Sequence, residues 1–301
     1  EWVQNRLKAA GLRPISALVD VTNLVAHDRG RPLHVFDAAK LKGNLRARLA
    51  RHGETLLALD GKTYTLDGEM TVIADDAAPH GIAGVMGGED SGCTESTTDV
   101  FVESAFFDPV RTARTGRTLG IVSDARYRFE RGVDPAFMQP GLELATQLVI
   151  DLCGGEPSQI IVAGGELPED RVIDFPVSEI KRLSGLDVGM VEMKRILSQL
   201  GFFVAGSAAT VKVAVPSWRP DVHGKADIVE EIMRIAGVDR VPLTPFPRGE
   251  TQRKPVLTPI QSRTRKAKRA LASRGLVEAV TWSFISKPHA ELFGEIGRAH
   301  V

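Results

Sequence analysis

The chain has 301 residues, 43% of them hydrophobic and 25% charged, with 38 basic against 38 acidic side chains. That length predicts about two domains, and the ordinary globular balance excludes global disorder. A formal charge of zero excludes a whole-surface field that would draw the chain onto a nucleic-acid backbone, so any RNA contact must be local or supplied by a partner.

In chain order, the opening EWVQNRLKAAG is neither a Met start nor a signal peptide, and the chain reads as a cut from something longer. From Leu12 to about Gly165 the pattern is strand-rich: ISALVDVTN, NLRARLAR, TVIADD and VFVESAFF are short β-prone runs separated by Gly, Asp and Pro. One helix is predicted near Met138 to Cys153, stopped by Gly154 and Gly155. Residues 1–165 therefore read as a mixed-sheet α/β domain. Beyond a linker at Glu166 to Asp170 the period changes, with SEIKRLSG and MVEMKRILSQLG reading as helices that each end in Gly. FFVAG and TVKVAVPSW form a predicted hairpin turning at GSAA, with Val211, Val213 and Val215 on its buried face. DIVEEIMRIAG is a third helix with Ile228, Val229, Ile232, Met233, Ile235 and Ala236 on one apolar face and Gly237 as its stop. Residues 166–246 thus predict a small winged-helix-like module. After the Pro-rich PLTPFPRGE, the stretch 247–301 opens a third module with the helix IQSRTRKAKRALASRG and the strand-like AVTWSFI, then runs out at GEIGRAHV.

The cysteines, Cys93 and Cys153, form no C-x-x-C pair, so neither a disulfide framework nor a cysteine zinc site is predicted, and a reducing cytoplasm fits. No apolar run approaches the roughly 18 residues of a membrane span.

Four features carry potential chemistry. Asp227, Glu230 and Glu231 stand at helical i, i+3 and i+4, and Asp221 just upstream could close them into an all-oxygen site for a hard cation such as magnesium. The competing reading is a solvated face in which Arg234 pairs with Glu230 and Asp227 caps the helix. GIAGVMGGEDSG is neither G-x-G-x-x-G nor a Walker loop, so its glycines read as a structural turn before a binding loop. His34 alone proves little, whereas Glu103, set among apolar neighbours in VFVESAFF, needs a partner or a ligand. The charges of SDARYRFERGVD read as a salt-bridge network. The run Arg263, Arg265, Lys266, Lys268 and Arg269 reads as a solvated helix face without the interleaved aromatics of a single-strand binder.

Taken in this order, RPISALVDVTN, GRPLHVFD, GIAGVMGG, VFVESAFFDP and SDARYRFERGVDP resemble the editing module of the bacterial phenylalanyl-tRNA synthetase β chain. PSWRPDV with DIVEEIMRIAGVDRVP is similar to the next β-chain module, and VTWSF to the opening strand of the catalytic-like domain, so the resemblance spans almost the entire chain. It implies a piece of a phenylalanine–tRNA ligase that is not synthetic by itself, but hydrolyses tyrosine wrongly attached to tRNA(Phe). Glu103 would accept the phenol hydrogen bond and His34 would orient the attacking water. Thr22, Asn23, Gly84, Ser123 and Ala125 would line the pocket. Many family members have Thr at the position of Ser123 and His at that of Tyr127. With no Ser-His-Asp set at convincing positions, water-mediated ester cleavage without an acyl-enzyme is expected, assisted by the terminal ribose hydroxyl. The resemblance also turns the quartet Asp221, Asp227, Glu230 and Glu231 into magnesium ligands shared with an α chain, within a heterotetramer of two α and two β chains that uses ATP mainly on the α chain. The expected partners are that α chain, tRNA(Phe) and a mischarged amino acid such as tyrosine. Two rivals remain open at this point: a nucleic-acid-binding helix-turn-helix module on an α/β scaffold, and a magnesium-dependent hydrolase working at the quartet.

Overall fold

The computed structural model describes residues 1–246, 249, 255–282 and 284–292. Backbone contacts divide them into two units, Glu1–Pro242 and Leu243 onward.

The first unit opens with helices α1 (Trp2–Ala9) and α2 (Ala17–Arg29). The second corrects the sequence reading, because ISALVDVTN was expected as a strand. Its β-branched residues mislead, while its ends decide: the Ser16 side chain accepts the Val19 amide at 3.4 Å, and Gly30 stops the helix at φ 66°. Val21 and Val25, at i and i+4, then face Ala145 of the later helix α5 (Met138–Cys153), so burial follows the helical period.

Eight short strands follow: β1 (Leu33–Asp37), β2 (Arg46–Leu49), β3 (Thr55–Leu57), β4 (Thr63–Thr65), β5 (Thr71–Ala74), β6 (Pro79–Ile82), β7 (Met86–Gly87) and β8 (Val100–Ser104). They form a four-stranded sheet in the order β2-β5-β6-β7, a β3–β4 hairpin and a β1–β8 pair. Every pairing described is antiparallel, so helices mix here with antiparallel sheets. Helices α3 (Pro109–Leu119) and α4 (Asp124–Phe129) precede α5, whose bounds match the predicted helix.

Further along the unit, β9 (Val172–Pro176), α6 (Ser178–Ser184), α7 (Met190–Gln199), β10 (Phe203–Ala205), β11 (Thr210–Ala214) and α8 (Lys225–Ala236) surround their own core. The predicted hairpin is β10–β11, and β9 adds an unpredicted third strand, placing Val211 opposite Phe175 and Val213 opposite Ile173. Val211, Val213 and Val215 are buried and Lys212 is exposed, as alternation requires. On α8, Ile228, Val229 and Ile232 are buried, but Ile235 in the last turn is exposed.

In the second unit, α9 (Pro259–Ala272) has no buried residue and carries the basic run, followed by α10 (Lys287–Glu291). The strand expected at AVTWSFI is absent among the described residues. Val280, Trp282 and Phe284 are exposed, and the described residues of this unit include no strand with which they could pair. Ser283 lies outside the described residues.

Candidate functional site

The antiparallel register of β1 and β8 sets His34 directly opposite Glu103. Residues facing each other across such a pair point to the same side of the sheet, so two polar groups distant in sequence share one wall. Both line a solvent-open cleft. The β6–β7 hairpin closes another side with Gly84, and α4 contributes Ala125 and Phe129. Phe36, Ile73, Ile82 and Phe107 make the remaining surface apolar.

Glu103 makes no hydrogen bond or ion pair among the described residues, and burial raises its carboxyl to about 7. Removing a carboxylate from water without a compensating donor favours its protonated form. Burial acts in the opposite sense on His34, lowering it to about 4, so its imidazole is neutral at pH 7. His34 Nε2 is buried without a partner, and its ring meets Phe36 edge-on at 4.4 Å. An apolar cleft with one free acceptor carboxylate and one neutral imidazole suits a flat apolar group that ends in a hydroxyl.

The glycines shape this wall. Gly84, at φ 69°, turns the β6–β7 hairpin, and a Cβ there would meet Phe107 at 3.0 Å and Phe129 at 3.1 Å. At Gly87 a Cβ would lie 2.3 Å from His34 Cε1, so the imidazole rests on bare backbone. Gly87→Ala is accordingly expected to push the imidazole out of place and lower the cavity's hydrolytic activity about tenfold or more, while costing about 1–3 kcal/mol in urea unfolding as an overpacked substitution.

Of the residues predicted for this pocket, the structure brings together His34, Glu103, Gly84 and Ala125. Ser123 stands one bond away: it caps α4, accepting the Arg126 amide at 3.1 Å, and donates to the Val85 carbonyl, tying the helix to the glycine hairpin. Thr22 and Asn23 lie on α2 outside the cavity wall, with the Thr22 hydroxyl donating to the Val19 carbonyl at 2.8 Å. The sequence reading passed over Arg31 and the aromatic walls Phe36, Phe107 and Phe129. Arg31, inside GRPLHVFD, was visible only as a charge beside Pro32.

The acidic quartet predicted to hold magnesium together with an α chain does not converge within this chain. Asp221 accepts two hydrogen bonds from Arg219, at 2.8 and 2.6 Å. Glu231 is shared between Arg219 at 2.7 Å and Arg234 at 2.6 Å, and these two guanidinium groups, Arg234 foremost, hold its carboxyl down to about 2. Asp227 turns back to accept the amides of His223 and Gly224, each at 2.8 Å, and Glu230 is exposed. Among the described residues no three His, Cys, Asp or Glu side chains form a group able to hold a metal ion. Helical spacing aligned the Cβ atoms, but arginines and backbone amides claim the oxygens of Asp221, Asp227 and Glu231, so these residues do not fit a bound cation as they stand. The competing reading also needs amendment, since Arg234 pairs with Glu231 and not Glu230.

Comparison with known proteins covers almost the whole chain. Residues 1–154 match the B3/4 domain, 173–238 the tRNA synthetase B5 domain, and 241–301 the phenylalanyl tRNA synthetase beta chain CLM domain. The chain is 68% identical over 294 residues to the phenylalanine–tRNA ligase beta subunit of Nitrobacter winogradskyi, covering 98% of this chain and 36% of that protein. It is 67% identical to the same subunit of Rhodopseudomonas palustris, with 98% and 37% covered, and 60% identical to that of Brucella suis, with the same coverage. The chain thus spans little more than a third of the curated relatives it matches.

Proposed function

Because this chain belongs to the phenylalanine–tRNA ligase β-subunit family, we propose that its first cavity removes tyrosine wrongly esterified to tRNA(Phe). The observation that carries this reading is Glu103: a carboxylate without a partner in an apolar cavity, opposite a neutral imidazole. A tyrosyl side chain fills the apolar space and donates its phenol hydrogen to Glu103. A phenylalanyl side chain would leave that carboxylate desolvated and unpaired, at a cost of about 1–3 kcal/mol, so the correct product is spared.

His34 Nε2 then accepts a hydrogen bond from a water and aims its oxygen at the ester carbonyl carbon. Its low basicity suits orienting a water and not holding a proton. The new bond joins water oxygen to carbonyl carbon and the ester C–O bond breaks. The water's proton passes to the leaving ribose oxygen, with the neighbouring ribose hydroxyl as relay.

In the complete enzyme the chain would act with an α chain, in a heterotetramer of two α and two β chains located in the cytoplasm. Residues 1–165 would serve editing, 166–246 the B5-like module, and 247–301 the start of the catalytic-like domain. ATP, held mainly by the α chain, and magnesium belong to the ligation reaction. No step is assigned to the Asp221, Asp227, Glu230 and Glu231 quartet: the first, second and fourth carboxylates are hydrogen-bonded elsewhere, and Glu230 is exposed. The two rivals lose support on these grounds: among the described residues a metal-dependent hydrolase finds no convergent ligands, and α8, carrying three carboxylates, is a poor match for a nucleic-acid backbone. The complete enzyme is expected to release tyrosine from tyrosyl-tRNA(Phe) at least tenfold faster than phenylalanine from phenylalanyl-tRNA(Phe). Equal rates would refute discrimination at this cavity.

A further inference from the structure

Although the whole chain is electrically balanced, residues 109–131, which form α3 and α4, hold six arginines and only two carboxylates. Thr112, Thr115 and Gly116 bury one side of α3, leaving Arg111, Arg114 and Arg117 every third residue along the other. Arg111 donates to the Glu69 carbonyl at 3.2 Å, and Arg114 has only a 3.9 Å contact with the exposed Glu69 carboxylate. Arg117 has no ion pair among the described residues.

On α4 and at its C-terminal cap the two carboxylates are already taken. Asp124 pairs with Arg128 and faces His27 at 3.4 Å, and Glu130 pairs with Arg126 and Arg131. Ala125 and Phe129 face the cavity, whereas Tyr127, 58% exposed, stands on the outer side with the Arg131 guanidinium 3.8 Å from its ring centroid. A helix is about 10 Å across, so this aromatic–guanidinium stack lies within the reach of an RNA end whose ester sits in the cavity.

We propose that the outer face of α4 and the arginine row of α3 dock the single-stranded 3′ end of the RNA, with Tyr127 and Arg131 stacking one base and Arg114 and Arg117 holding phosphates. The inference rests on the editing reading of the cavity. Stacking on aromatic and guanidinium planes together with phosphate pairing is how unpaired RNA is held, and α4, which carries the stack, also supplies Ala125 and Phe129 to the cavity wall.

The test uses the complete enzyme with Arg114→Gln/Arg117→Gln, Tyr127→Ala or Tyr127→Phe, assayed on tyrosyl-tRNA(Phe) and on tyrosine methyl ester, which has neither base nor phosphate. For the double variant we expect KM for tyrosyl-tRNA(Phe) to rise about tenfold and the slope of log affinity against log salt to fall by about 1.4, or 0.7 per phosphate. Tyr127→Ala should raise KM several-fold and Tyr127→Phe should restore it, with kcat and methyl ester hydrolysis unchanged throughout. An unchanged KM and salt slope would overturn the proposal, as would an equal loss on the methyl ester. If the unsubstituted enzyme hydrolyses neither ester, the cavity reading is what fails. The salt dependence of uncharged tRNA(Phe) binding, compared between the unsubstituted enzyme and the double variant, then decides the docking surface: a reduced slope supports it and an unchanged one overturns it.

Discussion

Arg31→Met is expected to lower the stability of the first unit by about 3–5 kcal/mol, read as a shift in its urea unfolding transition. Arg31 is 1% exposed, yet it carries a full guanidinium into the interior. Burial lowers its pKa to about 10, which leaves it cationic at pH 7. Its Nη1 donates to the Ala105 carbonyl at 2.7 Å and its Nη2 to the Asp134 carbonyl. These bonds join the start of β1 to the end of β8, two strands that line the cavity, and to the segment after α4. Methionine fills a similar volume but strands both carbonyls, and each charge-assisted hydrogen bond lost contributes about 1.5–3 kcal/mol. Lysine would not rescue it, because one ammonium cannot reach both carbonyls as a planar fork does. A shift below about 1 kcal/mol for Arg31→Met would show that the three segments hold together without it.

Tyrosyl ester hydrolysis is expected to rise about tenfold between pH 6 and pH 8, and to become flat over that range in Glu103→Gln. Ionised Glu103 is the stronger, charge-assisted acceptor for a phenol hydroxyl, and burial holds its carboxyl at about 7, so the ionised fraction grows about tenfold across the window. Stability should run the other way. A carboxyl raised in the folded state binds its proton there more tightly than in the unfolded chain. Stability therefore falls as pH rises from about 4.5 to about 7, and the native enzyme is least favoured by this group where it is most active. His34, lowered to about 4, adds the opposite slope at the acid end, where stability is lost as pH falls from about 6.5 through 4. Glu103→Gln should abolish the first slope and leave the second. Urea midpoints across pH 4 to 8 separate the two.

Local patterning made much of this fold legible. The helix Met138–Cys153 was readable to its bounds because glycines punctuate its end, and Val211, Val213 and Val215 announced a half-buried strand by alternation. At α2, β-branched residues outweighed the Ser16 and Gly30 caps in the reading, although the caps and the Val21–Val25 spacing decide the structure. The candidate site was legible in part. Glu103 stood out as a carboxylate among apolar residues, but its placement opposite His34 is a matter of strand register, which pairs positions distant in the chain. The failure of the acidic cluster to converge was hidden for the same kind of reason. Spacing set Asp227, Glu230 and Glu231 along one face, but the partners that claim the oxygens of Asp227 and Glu231 include Arg219 and the amides of His223 and Gly224, all upstream of α8.

The most direct measurement is deacylation of tyrosyl-tRNA(Phe) by the complete enzyme with and without Glu103→Ala. Loss of one hydrogen bond to a charged acceptor predicts that kcat/KM falls about tenfold to a hundredfold, while the slow release of phenylalanine from phenylalanyl-tRNA(Phe) does not fall. Unchanged deacylation of the tyrosyl ester would contradict the role of Glu103 and with it the editing assignment of the cavity.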